Sequence, residues 1–171
     1  MLAFIACGAS VARAQADWST EYRLKAGFLT RFPEFVRWPA SAWQFRNTLS
    51  ICVASPSPFG NTLTDLTDRG AIDGHPLAVR VIDPWTSPTN CHVLYVRLDQ
   101  PGGADLVARV ADQPVLTVTE GPPGVPRTGV ISLRVVANKV RFDIDLHAAR
   151  KAGLVLNAQL IRLALNVKGS E

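Results

Sequence analysis

Large apolar residues recur at helical spacing between Glu21 and about Trp38. Steps of four, four and three residues separate four of them, which are Leu24, Phe28, Phe32 and Phe35. At about 100° per residue the apolar arc covers roughly half of the helix circumference. Pro33 is expected to kink or restart the helix, and Trp38-Pro39 is expected to end it. So wide an arc favours contact on two sides, with the protein's own sheet and with a partner, although a fully buried helix fits it equally well.

Strand-like and helix-like segments alternate through the rest of the chain. The patterns predict strands at about 48–54, 77–82, 91–97 and 114–119, and helices at about 59–67 and 104–111. Residues 131–135 and 140–144 alternate apolar with polar side chains around Asn138-Lys139, which predicts a β-hairpin. Asp145 and Asn157 can each cap a following helix. This order predicts an α/β fold, a layered sandwich of a mixed, mostly parallel sheet flanked by helices, with a C-terminal β-hairpin and helix.

Composition and charge narrow the class of protein. The 171 residues are 47% hydrophobic, enough for one domain with a real core. The net charge is +4, but the basic residues are spread along the chain and form no nucleic-acid-binding run. No apolar run approaches the roughly 18 residues of a membrane-spanning helix, and no repeat is present. Transmembrane, nucleic-acid-binding and repeat proteins are therefore not expected.

The first 16 residues are typical of an export signal. They are apolar and small, and the A-x-A pattern of signal peptidase ends at Ala16. A positively charged opening segment is missing, which a start codon placed too far downstream would explain. We expect residues 1–16 to be a signal peptide and residues 17–171 to be a single domain in the periplasm, although an ordinary buried N-terminal helix is the alternative.

Two cysteines remain once this leader is removed. Cys52 and Cys91 each lie in a strand-like run, so neighbouring strands could bring their sulfurs together. In an oxidising compartment an even pair is expected to form a disulfide bond. Two buried free thiols are the alternative reading.

Catalytic and metal-binding patterns are not found in the sequence. The three histidines, His75, His92 and His147, are separate from one another in sequence, and none belongs to a recognisable motif. We expect His92 to be a core residue and His147 to be exposed. No nucleophile elbow, zinc-ligand spacing or phosphate-binding glycine loop is present. Asp143 and Asp145 share the polar face of a strand and are expected to be solvated. We therefore expect no enzyme activity, no metal and no cofactor.

A set of segments running in order through the mature chain resembles the YfiR family. The opening helix Tyr22 to Leu29 with the later Trp38-Pro39 carries the first part of the likeness. It continues through residues 51–53, 58–60, 91–96, 114–118, 129–131, 140–144, 148–154 and 160–164. The resemblance covers nearly all of the mature chain, which makes it far more specific than a single motif.

The resemblance implies a periplasmic repressor with no chemistry of its own. Members of the family bind the periplasmic sensor region of an inner-membrane diguanylate cyclase, which limits cyclic di-GMP signalling and biofilm formation. Redox stress or an outer-membrane lipoprotein releases the cyclase, and some relatives dimerise or accept small ligands. The resemblance also implies a disulfide at the positions of Cys52 and Cys91. Some relatives carry a second pair that this chain lacks, which puts a redox switch in doubt. A periplasmic small-ligand-binding module that reports to another partner is the alternative function.

Two groups of side chains are candidates for contacts with partners. Exposed aromatic residues often anchor interfaces, so the apolar face of the first helix is a candidate dimer or partner surface, comprising Phe28, Phe32, Phe35 and Trp38. Arg141 and Asp143, on the polar face of a strand, are candidates for a polar rim or a ligand contact.

Overall fold

A computed structural model of the chain describes residues 8–44, 46–88 and 90–169. The helices in these residues are α1 (Gly8–Arg31), α2 (Thr62–Thr67), α3 (Gly103–Arg109), α4 (Leu146–Lys151) and α5 (Ala158–Leu163). The strands are β1 (Val36–Arg37), β2 (Leu49–Ala54), β3 (Ala71–Ile72), β4 (His75–Ile82), β5 (Val93–Arg97), β6 (Leu116–Glu120), β7 (Ile131–Val136), β8 (Lys139–Asp145), β9 (Val155–Leu156) and β10 (Asn166–Lys168). Two short 3-10 helices, Phe32–Phe35 and Ala40–Trp43, follow α1.

The strands form one large mixed sheet and a small accessory pair. The large sheet has the order β10-β8-β7-β6-β5-β2-β4-β3, and β1 pairs with β9. Strands β4, β2, β5, β6 and β7 are parallel to their neighbours in this run. Taken in chain order they have the 2-1-3-4-5 arrangement of doubly wound sheets. The hairpin strand β8 is antiparallel to β7, and the short β3 is antiparallel to β4. The predicted mixed, mostly parallel sheet flanked by helices is confirmed.

Alternating side chains divide the core into two layers. Ile51, Val53, Val93 and Tyr95 lie in the larger layer together with α1, α2, α4 and α5. The residues between them, Cys52 and Leu94, lie in the second layer, which is closed by Leu106 and Val107 of α3. Strand side chains alternate between the two faces of a sheet. The helices therefore cover both faces, as expected for a parallel sheet.

The first helix ends earlier than its apolar pattern predicted. The pattern continued to Trp38, whereas α1 ends at Arg31 and the chain passes through the 3-10 helix Phe32–Phe35 into β1. Pro33 lies in the first turn of that 3-10 helix, where its missing N–H costs nothing. The backbone N–H of Val36 then bonds the Pro33 carbonyl and ends the turn. The predicted kink or restart at Pro33 is thus a change of helix type.

The C-terminal elements follow the predicted order with small changes. β7 and β8 form the expected hairpin, but Ala137 and Asn138 make its turn, rather than Asn138 and Lys139. The Asp145 carboxylate accepts a hydrogen bond from the Ala148 N–H at the start of α4, and Asn157 caps α5 in the same way. Strand β10, which pairs with β8 in parallel, was not predicted.

The export signal falls partly outside the described part of the chain. Residues 1–7 of the predicted signal peptide are not among the described residues, and residues 8–16 form the first turns of α1. Cleavage after Ala16 stays a prediction. None of the helices that the structure describes combines the length and apolarity needed to cross a bilayer.

Candidate functional site

The predicted disulfide joins the middle of β2 to the segment that leads into the neighbouring strand β5. Cys52 in β2 and Cys91 just before β5 are bonded, with their Cα atoms 5.7 Å apart. Both residues are buried in the layer covered by α3. A guanidinium nitrogen of Arg80 lies 3.6 Å from the Cys52 sulfur. The predicted bond is confirmed, and it is a buried crosslink within the core.

The predicted aromatic surface belongs largely to the core. The Phe32 ring packs edge-on against Phe142 of β8 at 5.1 Å between centroids and stacks on Phe28 at 5.6 Å. Phe32 is 2% exposed and Trp38 is 8% exposed. Phe28 and Phe35 are only partly buried and flank this packing. A partner contact at this face stays a prediction. Within the set, Phe28 and Phe35 are the two residues with appreciable solvent-exposed area.

Arg141 and Asp143 have different surroundings although both lie on β8. Arg141 is exposed and lies opposite Arg134 in the hairpin. The Asp143 side chain is 14% exposed, and its Oδ2 accepts hydrogen bonds from Arg127 at 2.8 Å and from Arg134 at 3.2 Å. The expectation that Asp143 is solvated is therefore wrong, because two arginines cover it. A ligand contact at either residue stays a prediction.

A cluster of buried charges, which the sequence patterns did not predict, lies at the carboxyl edge of the sheet. The carboxyl edge is the edge of the sheet where β5, β6 and β7 end. We call these residues the Glu120 cluster, which comprises Tyr22, Lys25, Arg97 and Glu120. The Tyr22 hydroxyl donates a hydrogen bond of 2.5 Å to Glu120 Oε1. Lys25 Nζ pairs with Glu120 Oε2 and with Glu21, one helical turn earlier. Arg97 Nε lies 3.8 Å from Glu120 Oε1.

Burial makes this cluster energetically important. Lys25 is 4% exposed and Glu120 is 8% exposed. Burial raises the pKa of the Tyr22 hydroxyl, and the hydrogen bond to the Glu120 carboxylate raises it further. Tyr22 therefore stays protonated and donates at any physiological pH. Because each carboxylate faces a cation, the arrangement fixes α1 on the sheet.

A cavity of about 540 Å³ adjoins the Glu120 cluster. Its lining also includes the loop Gly121–Gly124 after β6 and two arginines, Arg127 and Arg134. Ligands of open α/β sheets bind at this edge, outside the carboxyl ends of the strands. The sequence held one signal for the site: two buried strands each end in a charged residue, Arg97 and Glu120.

A second crevice, of about 340 Å³, lies at the other end of the strands. Its aromatic wall includes Trp43, whose indole stacks on the His75 ring at 3.9 Å. Behind it His92 is fully buried, as the sequence predicted, and its Nδ1 accepts a hydrogen bond from the Ser50 N–H. Its Nε2 donates to the Ala42 carbonyl, so both ring nitrogens are used by a neutral imidazole.

Candidate metal ligands do not gather within the described ranges. No group of three or more histidine, cysteine, aspartate or glutamate side chains comes close enough there to hold a metal ion. His147 is exposed on α4, as predicted.

Comparison with models of known protein families identifies a match. A family model described as YfiR/HmsC-like matches residues 22–165. The matched residues run from Tyr22 of the Glu120 cluster to just beyond α5 and include both cysteines of the disulfide. Among curated proteins no match was found. The family is periplasmic and regulatory rather than catalytic, and the match supports a general role in the regulation of diguanylate cyclases.

Proposed function

The chain belongs to the YfiR/HmsC-like family, and we propose that it binds the periplasmic sensor region of an inner-membrane diguanylate cyclase and holds the enzyme inactive. The observation that carries this proposal is the family match over residues 22–165, which spans nearly the whole fold. In this proposal residues 1–16 direct export to the periplasm, and the protein limits cyclic di-GMP synthesis without any catalysis of its own.

Repression of this kind is a matter of differential affinity. A binding protein shifts a cyclase toward its inactive state only by binding that state more tightly than the active one. Moving the cyclase from mostly active to mostly inactive, from 99:1 to 1:99, requires a preference of about 10⁴-fold. The partner surface must therefore contact a part of the sensor region that differs between the two states.

The face around Phe28 and Phe35 is the proposed partner or dimer surface. Leu24 lies one turn before Phe28 on α1 and is 53% exposed. Val155, which lies opposite Arg37 where β1 and β9 pair, is 59% exposed. Phe32 and Trp38 support this face from the core. Apolar side chains with water-exposed area at one face are suited to an interface with a protein.

Release of the cyclase is proposed to follow loss of the fold or competition for the same face. Reduction of the Cys52–Cys91 bond would destabilise the repressor, and an outer-membrane lipoprotein could sequester it. The chain has three cysteines, and one of them lies within the proposed leader. Redox control therefore depends on the single described bond.

The test is capture of the partner from membranes together with a measurement of cyclic di-GMP. The full-length protein, tagged at its C-terminus and exported in its native host, should retain a membrane-anchored cyclase and lower cyclic di-GMP. A Leu24→Glu variant should lose at least tenfold of the binding, because a charge is placed on the apolar face.

A matched control separates surface from stability. Val81 is 59% exposed on β4, near the opposite edge of the sheet, so Val81→Glu should bind like the wild type. If no cyclase is retained, or if cyclic di-GMP is unchanged when the protein is deleted, the repressor function is wrong.

A periplasmic small-ligand-binding module that reports to another partner is the second candidate function. The crevice beside Trp43 and His75 favours it, because an aromatic wall and a volume of about 340 Å³ suit a small molecule. A thermal-shift screen with metabolites tests this function. One strong hit that Trp43→Ala abolishes would support it, and the absence of any hit would leave a plain interaction protein.

A further inference from the structure

The cavity at the carboxyl edge has an uneven distribution of charge along its walls. On the α1 side each cation meets at least one carboxylate, since Lys25 lies between Glu21 and Glu120. Arg97 binds Asp99 with two nitrogens, at 3.2 Å and 2.7 Å. With two cations for three carboxylates, this wall carries a net charge of −1.

Two arginines on the opposite wall share a single carboxylate. Arg127 Nη1 and Arg134 Nη1 both donate to the same oxygen, Asp143 Oδ2. The other oxygen of Asp143 accepts a hydrogen bond of 2.7 Å from the Asn166 amide. One negative charge thus holds two positive charges side by side, and a net positive charge remains at this point.

The guanidinium groups keep donors for a further acceptor. A guanidinium carries five N–H donors, and each of these arginines uses one nitrogen on Asp143. Both residues line the cavity, whereas Asp143 lies behind them in the lining of a neighbouring depression. Arginine pairs suit carboxylates and phosphates because the planar fork matches two oxygens at once.

Apolar surface lies next to this pair. Pro122 and Pro123 form an exposed rim in the loop after β6, and Val135 of β7 is 46% exposed. The cavity volume of about 540 Å³ lies within the roughly 300–1,000 Å³ range of small-molecule sites. The available contacts therefore suit a molecule with one anionic group and a small apolar body.

We propose that this cavity binds a small organic anion, whose carboxylate or phosphate group is held by Arg127 and Arg134 and whose apolar part lies against Pro122, Pro123 and Val135. Asp143 is then a positioning residue, which keeps the two guanidinium groups together despite their repulsion. The site is separate from the face around Phe28 and Phe35 and from the crevice beside Trp43. It does not depend on the proposed repression of a cyclase.

The experiment is a titration of the purified mature protein, followed by NMR of its backbone amides at constant ionic strength. The probes are benzoate for the carboxylate, phenyl phosphate for the phosphate and benzamide as a neutral analogue of the same shape. We expect saturable shifts confined to the Gly121–Gly124 loop, Arg127 and the end of β7 with at least one anion. Which anion binds identifies the charged group.

Arginine variants test the assignment of the site. Arg127 is 52% exposed, so Arg127→Gln is expected to keep the fold and to weaken binding about tenfold, as the loss of a charged hydrogen bond does. Arg134→Gln should weaken it similarly. Arg162→Gln is the matched control, because Arg162 is exposed on α5 and does not line the cavity.

The proposal is overturned by any of three results. The first is the absence of saturable shifts with both anions, and the second is equal binding of benzamide. The third is an equal loss of affinity in Arg162→Gln, which would indicate a general response to charge. Because the assay contains no cyclase, its failure would leave the repressor function untouched.

Discussion

At the scale of single residues, the Lys25–Glu120 pair and His92 are buried polar groups, and each forms contacts near one end of the sheet strands. Lys25 and Glu120 are almost inaccessible to water and compensate each other's charge at the carboxyl edge. Removing one partner of such a buried pair typically costs 3–5 kcal/mol, because the other charge is left without compensation. His92 has a similar structural role at the other end of the strands, where its two ring nitrogens form hydrogen bonds with β2 and with the 3-10 helix Ala40–Trp43. Both sets of contacts are buried away from water.

His92 makes the stability of the protein depend on pH. Burial, followed by the charge of Arg46, lowers the pKa of His92 from 6.5 to about 4. As the pH falls, the unfolded chain takes up this proton before the folded protein does. Stability is therefore unaffected above about pH 6.5, declines between pH 6.5 and 4, and is lowered by roughly 3 kcal/mol below pH 4.

Urea unfolding at several pH values measures this contribution. The difference between the wild type and His92→Gln should change across the window from pH 6.5 to 4 and stay constant above it. A difference that is independent of pH would mean that folding leaves the pKa of His92 unchanged, contrary to its burial.

At the scale of elements, local sequence decides the type of each segment and neighbours decide where it ends. The apolar stripe of α1 is real, and its residues Tyr22, Ala26 and Leu29 are buried. The same stripe continues beyond Arg31 in sequence, yet Phe32 and Val36 are buried through a 3-10 turn and a strand. The helical period cannot distinguish these outcomes, because β1 forms only when β9, more than 100 residues away, supplies its partner.

The hairpin turn between β7 and β8 carries a removable strain. Ala137 and Asn138 have φ angles of 48° and 58°, as a two-residue turn with positive φ at both positions requires. Alanine adopts that region at a cost of roughly 1–2 kcal/mol, whereas asparagine tolerates it. Ala137→Asn is expected to stabilise the protein by about 0.5–1 kcal/mol, and Ala137→Val to destabilise it by about 1 kcal/mol.

Ala137 is exposed to solvent, so neither substitution changes the packing of the core. The midpoint of urea unfolding should rise for asparagine and fall for valine, with an unchanged slope. The opposite order would contradict the strained turn.

At the scale of the whole molecule, the disulfide fastens the central strands on which both faces of the core depend. Cys52 and Cys91 are 39 residues apart, and the segment between them includes α2, β3 and β4. Closing a loop of this length restricts the unfolded chain and stabilises the fold by roughly 4 kcal/mol in the chain-entropy model. Since the free energy of unfolding of a domain is about 5–15 kcal/mol, the bond supplies a large part of the stability.

Replacing both cysteines tests this contribution without leaving a free thiol. The free energy of unfolding of Cys52→Ala/Cys91→Ala is expected to be lower than that of the wild type by roughly 4 kcal/mol, and the reduced wild type should show the same loss. Calorimetry of both proteins, with and without reductant, measures these losses. A Cys52→Ala variant that accumulates normally and still represses would argue against a redox switch at this bond.

The sequence by itself determined the order of the longer strands and of the helices, the paired cysteines, both helix caps and the core position of His92. These features depend on spacing along the chain, on side-chain chemistry or on a run of neighbouring residues. Only the tertiary structure decided which charges meet. Tyr22 and Glu120, 98 residues apart, come into contact because the strand order brings the end of β6 beneath α1. Arg127 and Arg134 become a pair because β8 places Asp143 between them. Contacts between distant segments depend on strand order and register, which no local pattern contains.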